Sequence, residues 1–288
     1  MAKYTALIID LKKSRAYEKD RRNRIQQYIS VVTDALNLIF ASSLAKNVSF
    51  SAGDELQGLF KSVEASYLYF RWFSMLVAPI EIRAGIGIGD WDVVLENAPT
   101  TAQDGSAYHY ARFAIDVTED SLGYSVLMFS GGNDDIVANS LLNSTALIIH
   151  KQSEYQNEVM LLSEILYPIT VNGILDIDKM EIIRKLLALK KHFICFDWLK
   201  RNKAKREPWF LKLDQIEPID FCIRPIDALS ASDFFFIKSG KVRGLPLQLA
   251  KIIGVTRQSM DKTIKSANIY EARNLAVATL RYLAGMGG

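Results

Sequence analysis

The spacing of apolar residues changes several times along this chain, and each change marks an element. Tyr4 to Ile9 is a short, β-rich apolar run that stops at Asp10. This predicts a buried central strand with a carboxylate at its end. After the polar turn Lys12-Lys13-Ser14-Arg15, Ile25, Tyr28, Ile29, Val32, Leu36, Ile39 and Phe40 recur at helical spacing. They predict one amphipathic helix from Glu18 to Ala45, with Arg21, Arg22 and Arg24 on a solvated first turn. Val48, Phe50 and Ala52 alternate ahead of Gly53-Asp54, and Leu56, Leu59 and Phe60 follow it. That is a hairpin whose tip needs a residue tolerating positive φ. Ser62 reads as the N-cap of a helix running to Ala78 and stopped by Pro79. Ile82 to Gly89 alternates strictly, with Ile82, Ala84, Ile86 and Ile88 on one face and Arg83, Gly85 and Gly87 on the other. Gly105 opens a helix to Thr118, and Tyr124 to Phe129 is a last strand ended by Gly131-Gly132.

The order strand, helix, hairpin, helix, strand, helix, strand predicts the split β-α-β arrangement of ferredoxin-like domains: an antiparallel sheet with helices on one face. With the first strand beside the hairpin, Asp10 and Asp54 meet at one end of the sheet. Beyond Asp134 the spacing is mostly helical, over Ile136 to Ile165 and again over Lys179 to Lys200. Between Lys190 and Arg206, Lys190, Lys191, Lys200, Arg201, Lys203, Lys205 and Arg206 stand against Asp197 and no other acid. Such a cluster is either a solvated face or a phosphate contact. Near the end, Leu247 to Ile253 is a short helix, Gly254 a turn, Val255 a core plug and Thr256 the cap of a second helix through Lys265. With Met260 and Ile264 facing inward, these are helix-turn-helix features, although a plain helical hairpin with a Gly turn shares several. Arg257, Gln258, Ser259, Lys262 and Lys265 are left outward with Thr256 at the helix start. They are hydrogen-bond donors suited to bases or phosphates, and Lys251 and Lys265 are placed for phosphates. A final helix, Glu271 to Leu283, packs behind this pair or forms a dimer contact. The expected fold class is α+β: a ferredoxin-like, palm-like sheet domain over residues 1–132, a mainly helical region over 133–244, and a helix-turn-helix segment over 245–288.

Composition narrows the classes. With 288 residues the chain has room for about two domains. At 49% hydrophobic and 23% charged residues it is globular, not disordered. A net charge of +3 is too small to imply nucleic acid without local clustering. Cys195 and Cys222 lie in apolar settings without metal spacing and read as reduced core thiols. Ala6-Leu7-Ile8-Ile9 is too short for a signal peptide, and no apolar run is long enough to span a bilayer. The expectation is a cytoplasmic protein with no membrane partner.

Two carboxylates at neighbouring strand ends can hold Mg²⁺, or Mn²⁺, which keeps several waters and takes its remaining ligands from phosphates. Asp10, Asp54 and Glu55 are the candidate metal ligands; the alternative is an acidic tip that is simply solvated. The chain has no P-loop, so nucleotide phosphates would be held by the metal, by backbone N–H groups after Asp10, and by Arg15 or Arg112. Gly85 and Gly87 mark a close approach, either of a ligand or of a packed helix. His109, at a helix start near the glycine strand, is a further candidate.

Ile8-Ile9-Asp10 with Ser14-Arg15, Gly53-Asp54-Glu55-Leu56-Gln57-Gly58-Leu59, Ile82 to Gly89, and Gly105-Ser106-Ala107-Tyr108-His109-Tyr110-Ala111-Arg112 together resemble the SatD family of bacterial proteins. The C-terminal helix pair, followed by Lys265-Ser266-Ala267-Asn268, is similar to that family's too. The family in turn resembles class III nucleotide cyclases and, more distantly, diguanylate cyclases. There an Asp ending the first strand and an Asp at the first hairpin tip bind the metals. By that resemblance Asp10 and Asp54 are metal ligands, and Glu55 matches the Glu of the diguanylate cyclase hairpin. Ser14, Arg15, Gly53, Gly85, Gly87, His109 and Arg112 belong to the nucleotide site; His109 and Arg112 fall near the helix motif in which class III enzymes carry an Asn and an Arg. The function expected is a DNA-binding transcriptional regulator, acting as a homodimer, whose cyclase-like half binds a nucleotide with Mg²⁺. The alternatives are a metal-dependent nucleotidyl cyclase or nucleotidyltransferase, and a vestigial structural module that mediates protein contacts.

Overall fold

The computed structural model describes residues 3–12, 17–51, 53–120, 123–190, 222–230 and 232–286. Its centre is β1 (Tyr4–Leu11), which pairs antiparallel with β3 (Leu56–Phe60) on one side and β4 (Ile82–Gly89) on the other. β2 (Leu44–Phe50) adds to β3 antiparallel, and β5 (Val126–Phe129) adds to β4 in parallel, giving the order β2-β3-β1-β4-β5. This is a mixed α/β architecture with a five-stranded, mostly antiparallel sheet. β1 is apolar from Ala6 to Ile9 because both its faces are covered. Leu7, Ile9 and Leu11 enter the main core, while Ala6 and Ile8 enter a smaller cluster on the opposite face.

Helices α1 (Lys19–Ile39) and α2 (Val63–Val77) supply the main core. The periodic face of α1 is buried as its spacing requires, from Ile25 to Ile39. The helix nevertheless stops at Ile39, not at Ala45, and Leu44 already begins β2, opposite Phe60. Strand pairing has overridden a helical pattern that could have continued. Ser62 caps α2, accepting from the Ala65 N–H at 3.3 Å. α2 is buried on nearly every side, as suits a helix apolar all round.

Helix α3 (Ser106–Asp120) departs from the expectation of helices on one face. It lies on the opposite face, where Ala107, Tyr108, Ala111 and Ile115 join Ala6, Ile8 and Leu59. The glycines of β4 explain this. A Cβ on Gly85 would meet the Ala111 carbonyl at 2.1 Å, and one on Gly87 would meet the Ala107 carbonyl and the Ala111 N–H at 2.2 Å. Without side chains there, helix backbone lies directly on strand backbone. β5 is an edge strand whose outward groups are sealed by α4 (Asp135–His150). Asn139 accepts from Met128 N–H and donates to Met128 C=O, while Asn143 accepts from Ser125 N–H and donates to Val126 C=O. Two amides one turn apart thus stand in for a further strand and blunt an edge open to pairing.

α5 (Glu154–Leu166) starts from a capping box between Ser153 and Gln156. β6 (Ile169–Thr170) pairs with β7 (Ile226–Asp227), and α6 covers residues 181–190. Of the basic cluster, Lys191, Lys200, Arg201, Lys203, Lys205 and Arg206 lie outside the described residues, as does Cys195. Lys190 is not on a surface. It is 2% exposed, donates to the Met75 carbonyl at 2.9 Å and pairs with Glu158 at 2.7 Å. Cys222 is exposed, not a core thiol. Helices α7 (Leu245–Ile253), α8 (Arg257–Ser266) and α9 (Ile269–Met286) close the chain. α9 packs on α4 and α2, and one cluster of buried residues runs from Leu7 to Leu283, so the last segment shares its core with the first. Among the described residues, no helix is long and apolar enough to cross a membrane.

Candidate functional site

The end of the sheet where β1 stops collects opposite charges. Asp10 stands opposite Arg83 in the β1–β4 register. Arg83 donates to Asp10 Oδ2 from Nε at 2.8 Å, with Nη2 at 2.6 Å from the same oxygen. Across β1, Ile9 is opposite Leu56, which puts Asp10 beside the Glu55 end of the hairpin. The tip is a turn with Gly53 at φ 65°, tied to α1 by Gln26 Nε2 donating to the Gly53 carbonyl. Arg112 on α3 grips Glu55 with two parallel bonds, Nη1 to Oε2 at 2.6 Å and Nη2 to Oε1 at 2.7 Å. Ser51 Oγ donates to Glu55 Oε1 at 2.7 Å. Two-point guanidinium–carboxylate contacts fix geometry as well as charge.

The two carboxylates titrate in opposite directions. Burial pushes the Asp10 carboxyl above its usual value; Arg83 opposes this, and the negative charge of Asp54 adds to it. Burial would also raise Glu55, but the bonds from Arg112 and Ser51 and the charges of Arg112 and Arg83 outweigh it, and its pKa falls. The Arg112 guanidinium is raised in turn, first by its bond to Glu55. Glu55 is therefore a settled partner of Arg112, whereas Asp10 carries an ionisation that its surroundings resist. Carboxylates perturbed in this way occur at working sites and in structural ion-pair networks alike.

Asp10, Asp54, Glu55, Gly53 and Arg112 are thus brought to one end of the sheet. Arg83 belongs with them; its sequence signal was being the one charged residue on the glycine face of β4. The donor set suits a hard cation in kind, since Asp10 and Asp54 offer oxygens. Arg83 already supplies positive charge to Asp10, however, and Glu55 is taken by Arg112. Among the described residues, no three or more His, Cys, Asp or Glu side chains form a group that could hold a metal. The expected ligands Asp10, Asp54 and Glu55 share this end of the sheet, with Asp10 engaged by Arg83 and Glu55 by Arg112.

Gly85 and Gly87 line no ligand space, because the α3 backbone occupies it. His109 is exposed, with Nε2 3.1 Å from Asp104 Oδ1, and sits one turn before Arg112 on α3 instead of joining Asp10. Ser14 and Arg15 lie outside the described residues.

A second surface lies on α8. Gly254, at φ 76°, ends α7, and Thr256 caps α8 by accepting from the Ser259 N–H at 3.2 Å. Met260 and Ile264 are buried, which leaves Thr256, Arg257, Gln258, Ser259, Lys262 and Lys265 exposed, with Lys251 exposed on α7. Gln152 donates to the Ala267 carbonyl and Gln156 to Ser266, fastening the end of α8 to the helices beneath it. Residues 234–260 contain no Asp or Glu, so Lys238, Lys241, Arg243, Lys251 and Arg257 give this region a single sign of charge.

No curated protein and no solved structure matches the chain significantly. A match to the SatD family covers residues 4–185, a span that takes in the whole five-stranded sheet together with Asp10, Asp54, Glu55, Arg83 and Arg112 and stops short of α7 to α9. On that match, over more than half its length, the chain belongs to the SatD family.

Proposed function

We propose that the chain is a DNA-binding regulator: a ferredoxin-like N-terminal half receives a phosphate-bearing nucleotide at the Asp10 end of its sheet, and a C-terminal helix-turn-helix binds DNA through α8. The observation that carries this reading is the α8 surface, a capped helix with two buried anchors and an exposed row of donors, on which Asp261 is the one acid and stands 3.7 Å from Arg257. Arg257, Lys262 and Lys265 on one exposed helix suit phosphate contacts. The strand order β4-β1-β3-β2, with α1 and α2 on one face, supports the ferredoxin-like assignment. Arg83 and Arg112 are the cations at the sheet end that could meet nucleotide phosphates, with Mg²⁺ bridging Asp10 and Asp54 when bound. Helix-turn-helix proteins bind tightly as dimers across two half-sites, so the active form is a homodimer. The test is selection from random duplex DNA with the full chain, then band shifts. Lys265→Ala should weaken all sequences alike and flatten the salt dependence, while Arg257→Ala and Gln258→Ala should relax preference at particular base pairs. Recovery of no motif would remove the DNA reading.

A metal-dependent nucleotidyl cyclase or transferase is the second reading. It is favoured by the negative charge of Asp54 close enough to raise the Asp10 carboxyl, a repulsion that a divalent cation would relieve. Incubation with ATP or GTP and Mg²⁺ or Mn²⁺, followed by analysis for cyclic or transferred product, separates the two. Robust product that Asp10→Asn abolishes would make this an enzyme.

A further inference from the structure

Three consecutive phenylalanines stand out from the surface ahead of α7. Phe234, Phe235 and Phe236 are 94%, 84% and 54% exposed, and the last two meet edge to face with ring centroids 4.8 Å apart. The turn that carries them is held from behind. Asp233 is buried and accepts from the Lys238 N–H at 3.0 Å, the Ser239 N–H at 3.1 Å and the Ser239 hydroxyl. Arg281 of α9 donates to the carbonyls of Ser230 and Asp233. Lys238, with its ammonium 5.9 Å from the Phe236 ring centroid, is exposed beside the rings, as are Lys241 and Arg243. The same chain has an open apolar groove between α3 and α4 over β5, about 400 Å³ in volume and lined by Phe113, Val117, Tyr124, Phe129 and Ile136. Ile136 is 76% exposed, and Asp116 and Asp134 are exposed beside the groove. Wedge and groove flank one end of α9: Arg281 holds the turn, and Tyr282, the next residue, donates to Asp134 Oδ1 at 3.1 Å, two residues before Ile136.

Large apolar surfaces left in water mark interaction sites, and here two of them lie close together on one molecule. We propose that two copies of the chain pair about a two-fold axis, with Phe234 and Phe235 of each copy seated in the α3–α4 groove of the other. Reciprocal seating closes the contact, whereas a one-way contact would leave a wedge and a groove open and grow into chains of molecules. The signs of charge agree, since Lys238, Lys241 and Arg243 beside the rings meet Asp116 and Asp134 beside the groove. The area agrees too. An aromatic side chain buries about 150–250 Å². Two rings from each copy, with a like area of groove, remove about 1,200–2,000 Å² from water, the size of a stable interface. The pairing names a surface for the homodimer of the regulator reading but uses neither the sheet end nor α8. It needs no DNA, so it stands or falls separately from that reading.

The test is the mass of the full chain in solution without DNA, by sedimentation equilibrium over a range of concentrations. The wild type should be a dimer. Phe234→Ser with Phe235→Ser removes the wedge, and Ile136→Glu blocks the groove. All three side chains are exposed, so both variants should fold, by circular dichroism, and stay monomeric where the wild type pairs. Mixed together, the two variants keep one intact wedge and one intact groove on separate copies. The mixture should therefore form a heterodimer about tenfold or more weaker than the wild-type dimer. A wild-type chain that is monomeric at its highest soluble concentration overturns the proposal, whether residues 191–221 of the same chain or another molecule covers the face. A dimer that survives both variants overturns it as well. So does binding to phosphatidylserine vesicles that the wedge variant loses while it remains dimeric, which would assign the rings to a membrane surface. If Ile136→Glu does not fold, the milder Ile136→Ser takes its place in both arms.

Discussion

Glu164→Ala is the most exacting perturbation for the way the two ends of the chain are joined. Glu164 links Arg71, 93 residues earlier, to Arg273 on the last helix, and all three side chains are almost wholly buried. Removing the carboxylate leaves two guanidiniums in contact range with no counter-charge. Breaking a buried pair in this way costs about 3–5 kcal/mol, against a total stability of roughly 5–15 kcal/mol. For a chain of this size that is a fall in Tm of roughly 6–10 °C. Differential scanning calorimetry and urea unfolding measure it. Glu164→Gln keeps the volume and one acceptor, so it should fall between wild type and Ala. Arg71→Met should cost less than Arg273→Met, because only the latter also orphans the Gly240 and Tyr167 carbonyls. A Tm change below about 2 °C for Glu164→Ala would refute the reasoning, since a carboxylate holding two buried arginines cannot be that dispensable.

Gly87→Ala should destabilise by about 1–3 kcal/mol or more, because the added Cβ meets α3 backbone and not a pliable side chain; a melt within error of wild type would mean that α3 does not lie where described. Thr256→Ala should cost about 1 kcal/mol, confined to the first turn of α8 and read by hydrogen exchange at Ser259, with weaker DNA binding and an unchanged main core. Glu55 and Asp10 should give opposite pH behaviour. Glu55, lowered on folding, adds stability above its unfolded pKa that is lost as pH falls through the lowered folded value, so Glu55→Gln should flatten part of the acid limb of urea midpoints. Asp10, raised on folding, favours the folded state only below its unfolded pKa and loses that contribution as pH rises through the folded value. Asp10→Asn should then be neutral or slightly stabilising near pH 7, by about 1 kcal/mol at most, and a clear loss of stability there would show that its bond to Arg83 outweighs its burial.

Periodicity and capping chemistry in the sequence already determined most elements, because both are local. The buried stripe of α1, the two-faced pattern of β4, the Ser62 and Thr256 caps and the turn at Gly254 each follow from residues within a few positions of one another. Asp10 beside the hairpin tip was legible as well, since strand order and a carboxylate at a strand end were enough to place it. What the local pattern cannot carry is which surface meets which. The glycine face of β4 reads equally as a ligand seat or a helix seat, and only the path of α3 across the far side of the sheet decides it. The α1 pattern could have continued to Ala45, but Leu44 gains more by pairing opposite Phe60. Lys190 looked like part of a solvated cluster until α6 set it against Glu158 and the Met75 carbonyl. Arg83 for Asp10, Arg112 for Glu55, and Arg71 and Arg273 for Glu164 are partnerships between charges far apart in sequence. A charge chooses its partner by distance and burial, and both exist only once the chain has closed on itself.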